Sequence, residues 1–342
     1  MSEKLNYKNS GVDVKAGENS VNAIKPLVQS TYNKNVLSDL GVFGGFYQID
    51  LEKWEKPILV SSTDGVGTKL LVAQKANVFD TVGQDIVNHC IDDIFVHGAH
   101  PQYFLDYIGI GKMATNKITH IISGMTKACK ENDMALIGGE MAEMPDVYHG
   151  EDFDLVGTIV GMVEKDKIIT GEEISEDDVV IGFTSTGLHT NGYSLARKII
   201  FDKLGMAISD IVENTNKTVA ELLLAVHKSY YPELKQFADP NIIHGMAHIT
   251  GGGIIGNLKR VIPDGLAAII ENSLWETPEL YNFLQEKGKI DNNDMFEAFN
   301  MGIGFMILVP ENKVDMILNR TSGIKIGKVI KTDSNKKVRI KF

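Results

Sequence analysis

Cysteine is almost missing from this chain. Its 342 residues hold two, Cys90 and Cys129. Both lie in apolar stretches, so no disulfide scaffold is expected and a reducing compartment fits. Cations are in deficit, with 34 Lys and Arg against 45 Asp and Glu and a formal net charge of -11. That balance argues against nucleic acid as the main partner, because phosphate backbones are gripped by clustered Lys and Arg. A single bound phosphate needs only a local site or a metal. No apolar run reaches the roughly 18 residues that span a membrane, and no signal-peptide pattern opens the sequence, so a cytoplasmic protein is expected. Neither G-x-x-x-x-G-K-S/T nor G-x-S-x-G occurs, which excludes a Walker-type loop and the usual nucleophile elbow. Short repeats and low-complexity linkers are lacking too.

What is present reads as ordinary globular composition, 43% hydrophobic and 23% charged. The length exceeds the usual single-domain size, so two domains with real cores are expected. Residues 1–50 are rich in Gly, Asn and Ser and read as a mobile arm followed by a loop. Strands are expected at 57–62, 103–110 and 153–163, with helices at about 80–97 and 116–131. The polar stretch KDKIITGEEISEDD, 165–178, separates this region from a second one with strands at 178–185, 266–270 and 302–309 and a helix at 193–205. The boundary is placed there, giving domains 1–168 and 169–342. The alternation implies α/β or α+β layers.

The chemistry begins at STDGVGTKL, 61–69. An apolar run ends in Asp64, which can face a cation. Gly65 and Gly67 then leave the backbone open to close approach, and Thr68 and Lys69 supply donors. A solvated Asp-Gly turn would look the same. On the helix from Asp80, Ile86, Val87, Cys90, Ile91, Ile94 and Phe95 form an apolar arc, opposite Asp85, Asn88, His89 and Asp92. Plain solvation would explain that polar face. Asp93 lies at the border, where a half-desolvated carboxylate calls for a dedicated partner. ALIGGEMAEMP, 135–145, is another apolar strand ending in glycines and a carboxylate, Glu140. Were Asp64, Asp93 and Glu140 to converge at about 4 Å, each pair would repel by roughly 4 kcal/mol at an effective dielectric of 20. Such a cluster needs a cation, and oxygen donors on glycine-rich strand ends suit Mg²⁺ with nucleotide phosphates better than zinc.

In the second half, TSTGLHTNGYS, 184–194, links a strand to a helix and offers His189 and Asn191 beside free amides. HITGGGIIG, 248–256, is a second glycine-rich concavity. It satisfies G-x-G-x-x-G, but the dinucleotide fingerprint is rejected because HGMAHIT makes a poor preceding strand. His89, Cys90, His97 and His100 are dense enough for zinc, yet Cys90 and His89 point to opposite arcs.

Taken in order, STDGVGTK, DIVNHCIDDIFVHGAHPQYFLDY, LIGGEMAEMP, STGLHTNGYSLAR, GMAHITGGG and FNMGIG closely resemble the phosphoribosylformylglycinamidine cyclo-ligase (aminoimidazole ribonucleotide synthetase) family. The resemblance runs from about Tyr7 to Val329. It implies a two-domain α+β subunit whose N-terminal sheet forms a shared barrel in a homodimer, with a C-terminal α/β layered domain on the substrate side. It also implies ATP and Mg²⁺ near that interface. Asp64, Asp93 and Glu140 match the metal positions, with Gly65, Gly67, Thr68 and Lys69 as the phosphate platform. Lys25, in YKNSGVDVKAGENSVNAIK, matches a lysine that contacts ATP. Asp64, Asp93 and His189 take the catalytic role, and Asn191, His248 and Gly252 join His189 around the substrate, formylglycinamidine ribonucleotide. The implied reaction is ATP-dependent ring closure in purine biosynthesis.

This sequence departs from the family at Met141, where threonine is common, at Asp146, where glycine is common, and at Asp92, where asparagine is frequent and a further charge beside Asp93 would alter metal demand. Selenophosphate synthetase is disfavoured because no cysteine precedes Cys90. Thiamine monophosphate kinase would share the carboxylates without HTNGYSLAR or HITGGG, and a catalytically dead nucleotide-binding partner would have lost a ligand.

Overall fold

Two sheets organise the chain in the computed structural model, which describes residues 13–342. In chain order the elements are α1 (Val14–Gln29), β1 (Pro57–Gly65), α2 (Lys69–Ala76), α3 (Asp80–Phe95), β2 (His100–Ile110), α4 (Thr115–Glu131), β3 (Ala135–Glu143), β4 (Phe153–Glu164), β5 (Val179–Thr184) and α5 (Tyr193–Arg197). They continue with α6 (Val219–Leu223), α7 (Tyr231–Leu234), β6 (Gly245–His248), α8 (Gly253–Leu258), β7 (Leu266–Glu271), α9 (Glu279–Gly288), α10 (Asn292–Ala298), β8 (Ile303–Val309), α11 (Glu311–Leu318), β9 (Ile324–Lys331) and β10 (Val338–Lys341).

The first sheet has the order β1-β4-β2-β3, with β2 and β3 parallel and the other pairs antiparallel. Along β4 burial alternates, and Phe153, Leu155 and Ile159 lie in the core that α3 and α4 complete. That period of two is what a strand covered on one face requires. The two helices cross with their backbones touching. A Cβ on Gly83 would come within 2.0 Å of the Ile121 carbonyl oxygen, and one on Gly124 within 1.9 Å of that of Asp80. Any larger residue at either position would push the helices apart.

The second sheet runs β10-β7-β9-β5-β8-β6. Its central strands β5 and β8 are buried along almost their whole length, which explains why they read as continuous apolar runs. The two sheets fall on either side of residues 165–178.

Several expectations need correcting. The part of the N-terminal arm at 1–12 lies outside the described residues. From Val14 the segment is a helix, whose first turn is capped by the Asp13 side chain accepting the Ala16 N–H at 3.1 Å. Ile24 and Val28, one turn apart, bury that helix against the core. Glycine content misled here, because Gly17 sits in the helix facing open space. The helix expected over 193–205 is α-helical for only five residues before a π-helical turn at 198–203. HGMAHIT does contain a strand, β6. It is an edge strand whose one sheet neighbour is the antiparallel β8, and it does not lie beside β7, so the glycine-rich segment does not open a βαβ unit of adjacent parallel strands and the dinucleotide fingerprint fails on topology. Strands β9 and β10 were missed, although IKIGKVIK buries Ile326 and Val329 among exposed lysines. Among the described residues no helix is long and apolar enough to cross a membrane.

Candidate active site

The polar face of α3 is where the two halves of the chain meet. Asp85, Asn88, His89 and Asp92 are all buried, so the solvated face allowed by the helical period does not exist. Each finds a partner in or beside the second half. The His227 N–H donates to Asp85 at 2.7 Å, the Asn88 amide donates to the His227 carbonyl at 2.7 Å, and the Tyr230 N–H donates to Asp92 at 2.9 Å. Burial pushes the Asp92 carboxyl well above the usual range. Burial thus disfavours the charged form of Asp92, which works against the extra charge beside Asp93 that its replacement of asparagine would bring.

Lys69 does not stand at a phosphate. Its ammonium is wholly buried, 2.7 Å from Asp85, and donates to the carbonyls of Ala225 at 2.7 Å and His189 at 3.1 Å. All three of its donors are used. Helix α2 starts at Lys69, and its inward turn carries the side chain into the domain junction instead of toward the glycine loop. Burial lowers the Lys69 pKa and raises that of Asp85, and each is partly restored by the other's charge.

At the edge of this junction two carboxylates converge. Asp64, near the end of β1, accepts the Gly65 N–H at 2.7 Å and lies 2.7 Å from His89 Nε2. Asp93, in the last turn of α3, lies 2.9 Å from His248 Nδ1 and 3.6 Å from His89 Nε2, and accepts the Ser62 hydroxyl at 3.3 Å. Burial raises both carboxyls, but hydrogen bonds and charge from His89 and His248 outweigh it and hold both below the usual range. Burial depresses His89 in turn, while Asp64, Asp93 and Asp85 more than reverse that and favour its cationic form. His248 goes the other way, with burial outweighing Asp93.

The imidazoles connect behind the carboxylates. His89 Nδ1 is 2.8 Å from the Thr190 hydroxyl, which lies 3.4 Å from His227 Nδ1, and His227 Nε2 meets His248 Nε2 at 3.1 Å. His227 belongs to this chain of contacts, yet as a lone histidine in LLLAVHKSYYP it carried no sequence signal. Asp64, His89 and Asp93 offer ligand atoms close enough for one ion, as do His89, His227 and His248. In the first group the Asp64 and Asp93 carboxylates face the opening and present hard oxygen donors, which fit Mg²⁺, while His89 lies buried behind them. The zinc set considered from sequence is scattered: Cys90 faces the Gly157 carbonyl, His97 Nδ1 the Ile169 carbonyl and His100 Nδ1 the Tyr231 hydroxyl.

Glu140 does not join Asp64 and Asp93 within one chain. Across the sheet the register runs Asp64 to Gly157 to Asp106 to Gly139. Three strand spacings, about 14 Å, therefore separate the two carboxylate positions. Glu140 instead lines a cavity of about 680 Å³ under α1, with Glu18, Asp39, Phe43, Asp106 and Met141. Lys25 stands beside it, paired with Asp39 at 2.6 Å. Burial, followed by the Glu140 charge, pushes the Asp106 carboxyl up to about 7.

The glycine-rich loops of the second half close over the same junction. His189 is wholly buried at a positive φ of 59° and stacks on His227 at 4.0 Å. Its imidazole is an interior group, pushed well down by burial, and its Nε2 accepts the Thr186 N–H at 3.3 Å. Asn191 is half-buried, and its Oδ1 lies 3.3 Å from where a Cβ on Gly251 would be. Gly252 and Gly253 turn the chain at φ of 90° and 59°, and a Cβ on Gly253 would strike the Phe296 carbonyl at 1.9 Å. Thr68 reaches across to the Ser194 hydroxyl at 3.2 Å.

This pair of domains, joined over a carboxylate and histidine junction, defines a subunit of the AIR synthase related class. Residues 47–163 match the AIR synthase related protein, N-terminal domain, and residues 175–339 the AIR synthase related protein, C-terminal domain. The chain belongs to the phosphoribosylformylglycinamidine cyclo-ligase family. It is 45% identical over 340 residues to the phosphoribosylformylglycinamidine cyclo-ligase of Geotalea uraniireducens, with 98% of each chain covered. To that of Pseudothermotoga lettingae it is 45% identical over 314 residues, with 92% of each covered. Among solved structures, thiamine-monophosphate kinase from Stenotrophomonas maltophilia superposes with a TM-score of 0.65 at 14% identity, over 93% of this chain and 95% of that one. The hydrogenase maturation protein HypE in complex with ATP gives 0.64 at 14%, over 93% and 90%. At that identity these two share the fold alone.

Proposed function

We propose that this chain closes formylglycinamidine ribonucleotide to aminoimidazole ribonucleotide with ATP, releasing ADP and phosphate, in de novo purine biosynthesis. The observation that carries this reading is 45% identity over nearly the whole length to a chain named for that activity. ATP as the phosphoryl donor is supported by the same relatives and by the nucleotide in the HypE complex.

A formamide carbon is a poor electrophile. Phosphoryl transfer to its oxygen makes that oxygen a leaving group, the amidine nitrogen attacks the carbon, and the oxygen departs as part of phosphate. In this reading residues 1–168 serve ATP and dimerisation and residues 169–342 the substrate side. Asp64 and Asp93 hold Mg²⁺, which when bound neutralises charge on the transferring phosphoryl group. Gly65, Gly67 and Thr68 give the phosphates open backbone and a hydroxyl. His248, held by Asp93, borders the substrate with Asn191 and Gly252. Lys69 and His189 act from the interior by fixing the loop at 189. Oxygen-18 in the formyl group should emerge in inorganic phosphate, one for one with product. Label recovered in water with unlabelled phosphate would overturn the phosphorylation step.

A homodimer with a shared barrel is supported by the N-terminal half. Leu37, Val42, Phe43, Phe46, Leu51 and Leu59 are exposed, and the edges of β1 and β3 are unpaired among the described residues. Both are liabilities that a second copy removes. Such pairing also gives Glu140 and Lys25 of one protomer a route to the carboxylate pair of the other, with ATP spanning the two. Asp64→Asn and Glu140→Gln proteins, each inactive alone, should recover about a quarter of normal activity when unfolded and refolded together, since half the dimers are mixed and each holds one intact site of two. No recovery would mean that both residues serve one chain's site.

A further inference from the structure

Between the sheets, beside the carboxylate pair, lies a cavity of about 420 Å³, within the roughly 300–1,000 Å³ common for small-molecule sites. Asp93 is its one acid and Arg260 its one permanent cation among the described lining residues, with the Ser61, Ser62 and Thr170 hydroxyls between them. We propose that Arg260 holds the 5′-phosphate of the ribonucleotide substrate in this cavity, so that the reacting end lies toward Asp93 and His248. The inference rests on the cyclo-ligase reading above and adds the residue that fixes substrate orientation.

Arg260 is one of four arginines in the chain. Its guanidinium has no hydrogen-bond or ion-pair partner among the described residues, and it stands exposed at the rim. Two cations nearby are committed: Lys337 pairs with Asp264 at 2.7 Å, and Arg339 donates to the Thr332 hydroxyl at 2.6 Å. The backbone that carries Arg260 is rigid. The Asn257 amide donates to the carbonyls of Thr250, Gly251 and Gly253 and accepts the Thr250 hydroxyl, while the Arg260 N–H donates to the Asn257 carbonyl at 3.1 Å. A free planar fork on a fixed base suits a phosphate monoester, whose oxygens it meets two at a time. Behind it, Lys259, Lys336, Lys337 and Arg339 share a second surface concavity with Arg260. They make the mouth locally positive on an otherwise acidic protein, which draws in a dianion.

The test is Arg260→Ala and Arg260→Lys in the full chain, with KM measured separately for the ribonucleotide and for ATP. Arg260→Ala should raise the ribonucleotide KM about 10- to 100-fold, the scale of a charge-assisted hydrogen bond to an anion. Its kcat and the KM for ATP should stay within about twofold, and its melting temperature should hardly move, because the residue is exposed and its guanidinium makes no hydrogen bond or ion pair among the described residues. Arg260→Lys should fall between, keeping charge and losing the fork. A raised KM for ATP instead, or an unchanged ribonucleotide KM, overturns the proposal. Calorimetry with ribose 5-phosphate reads the site without turnover. If the unmutated protein makes no aminoimidazole ribonucleotide, the cyclo-ligase reading fails. The phosphate site then still stands if Arg260→Ala weakens ribose 5-phosphate binding about 10-fold or more, and falls if binding is equal.

Discussion

Asp64→Asn should lower turnover at least about 100-fold at saturating ATP and Mg²⁺, while leaving the melting temperature nearly unchanged. The loss corresponds to roughly 3 kcal/mol of electrostatic stabilisation, the usual scale for one charged contact to a reacting group. The fold should survive because Asp64 is 46% exposed at the side chain, and an asparagine, with one carbonyl oxygen, can still accept from the Gly65 amide while giving up the contact to His89. What disappears is one of two negative charges that the site holds below the usual carboxylate range. Steady-state kinetics over a Mg²⁺ titration decide the matter. Near-normal turnover at high Mg²⁺ would take Asp64 out of the site.

Lys69→Met should act in the opposite way, costing stability before chemistry. The change leaves Asp85 buried, with the His227 N–H as its remaining hydrogen bond, and removing one partner of a buried ion pair costs about 3–5 kcal/mol. It also frees the His189 and Ala225 carbonyls, which lose the donor that ties the two halves together. Urea unfolding should show the full loss. A second change, Asp85→Leu, should return much of it, since an apolar pair of similar volume carries no uncompensated charge. A Lys69→Met protein that unfolds normally but loses ATP affinity would restore lysine to the phosphate platform.

Some of this arrangement was legible in the order of residues. An apolar strand that ends in Asp64 and glycine, and an amphipathic helix with Asp93 on the border of its apolar face, are local patterns, and these segments do form β1 and α3. Asp93 does have the dedicated partner its border position called for, in His248. Hydrogen-bonding glycine turns at 250–253 were also readable, because the backbone there needs φ values that other residues rarely adopt.

What covers a polar helix face is not a local property. The period of α3 places Asp85, His89 and Asp92 together, but whether water or protein meets them depends on residues some 140 positions away, such as His227. The same holds for Lys69, whose donor chemistry is identical at a phosphate and in a core, and for His189, whose loop setting hid complete burial. Strand order decided the fate of Glu140: a carboxylate at a strand end resembles Asp64 in sequence, but two intervening strands hold them apart. By itself, then, the sequence determined the strand and helix periods, the glycine turns and the family, all carried by neighbours along the chain. Only the tertiary structure decided which charges are buried, which meet and which face an opening, because those outcomes depend on contacts between segments that are remote in sequence and on the solvent they exclude.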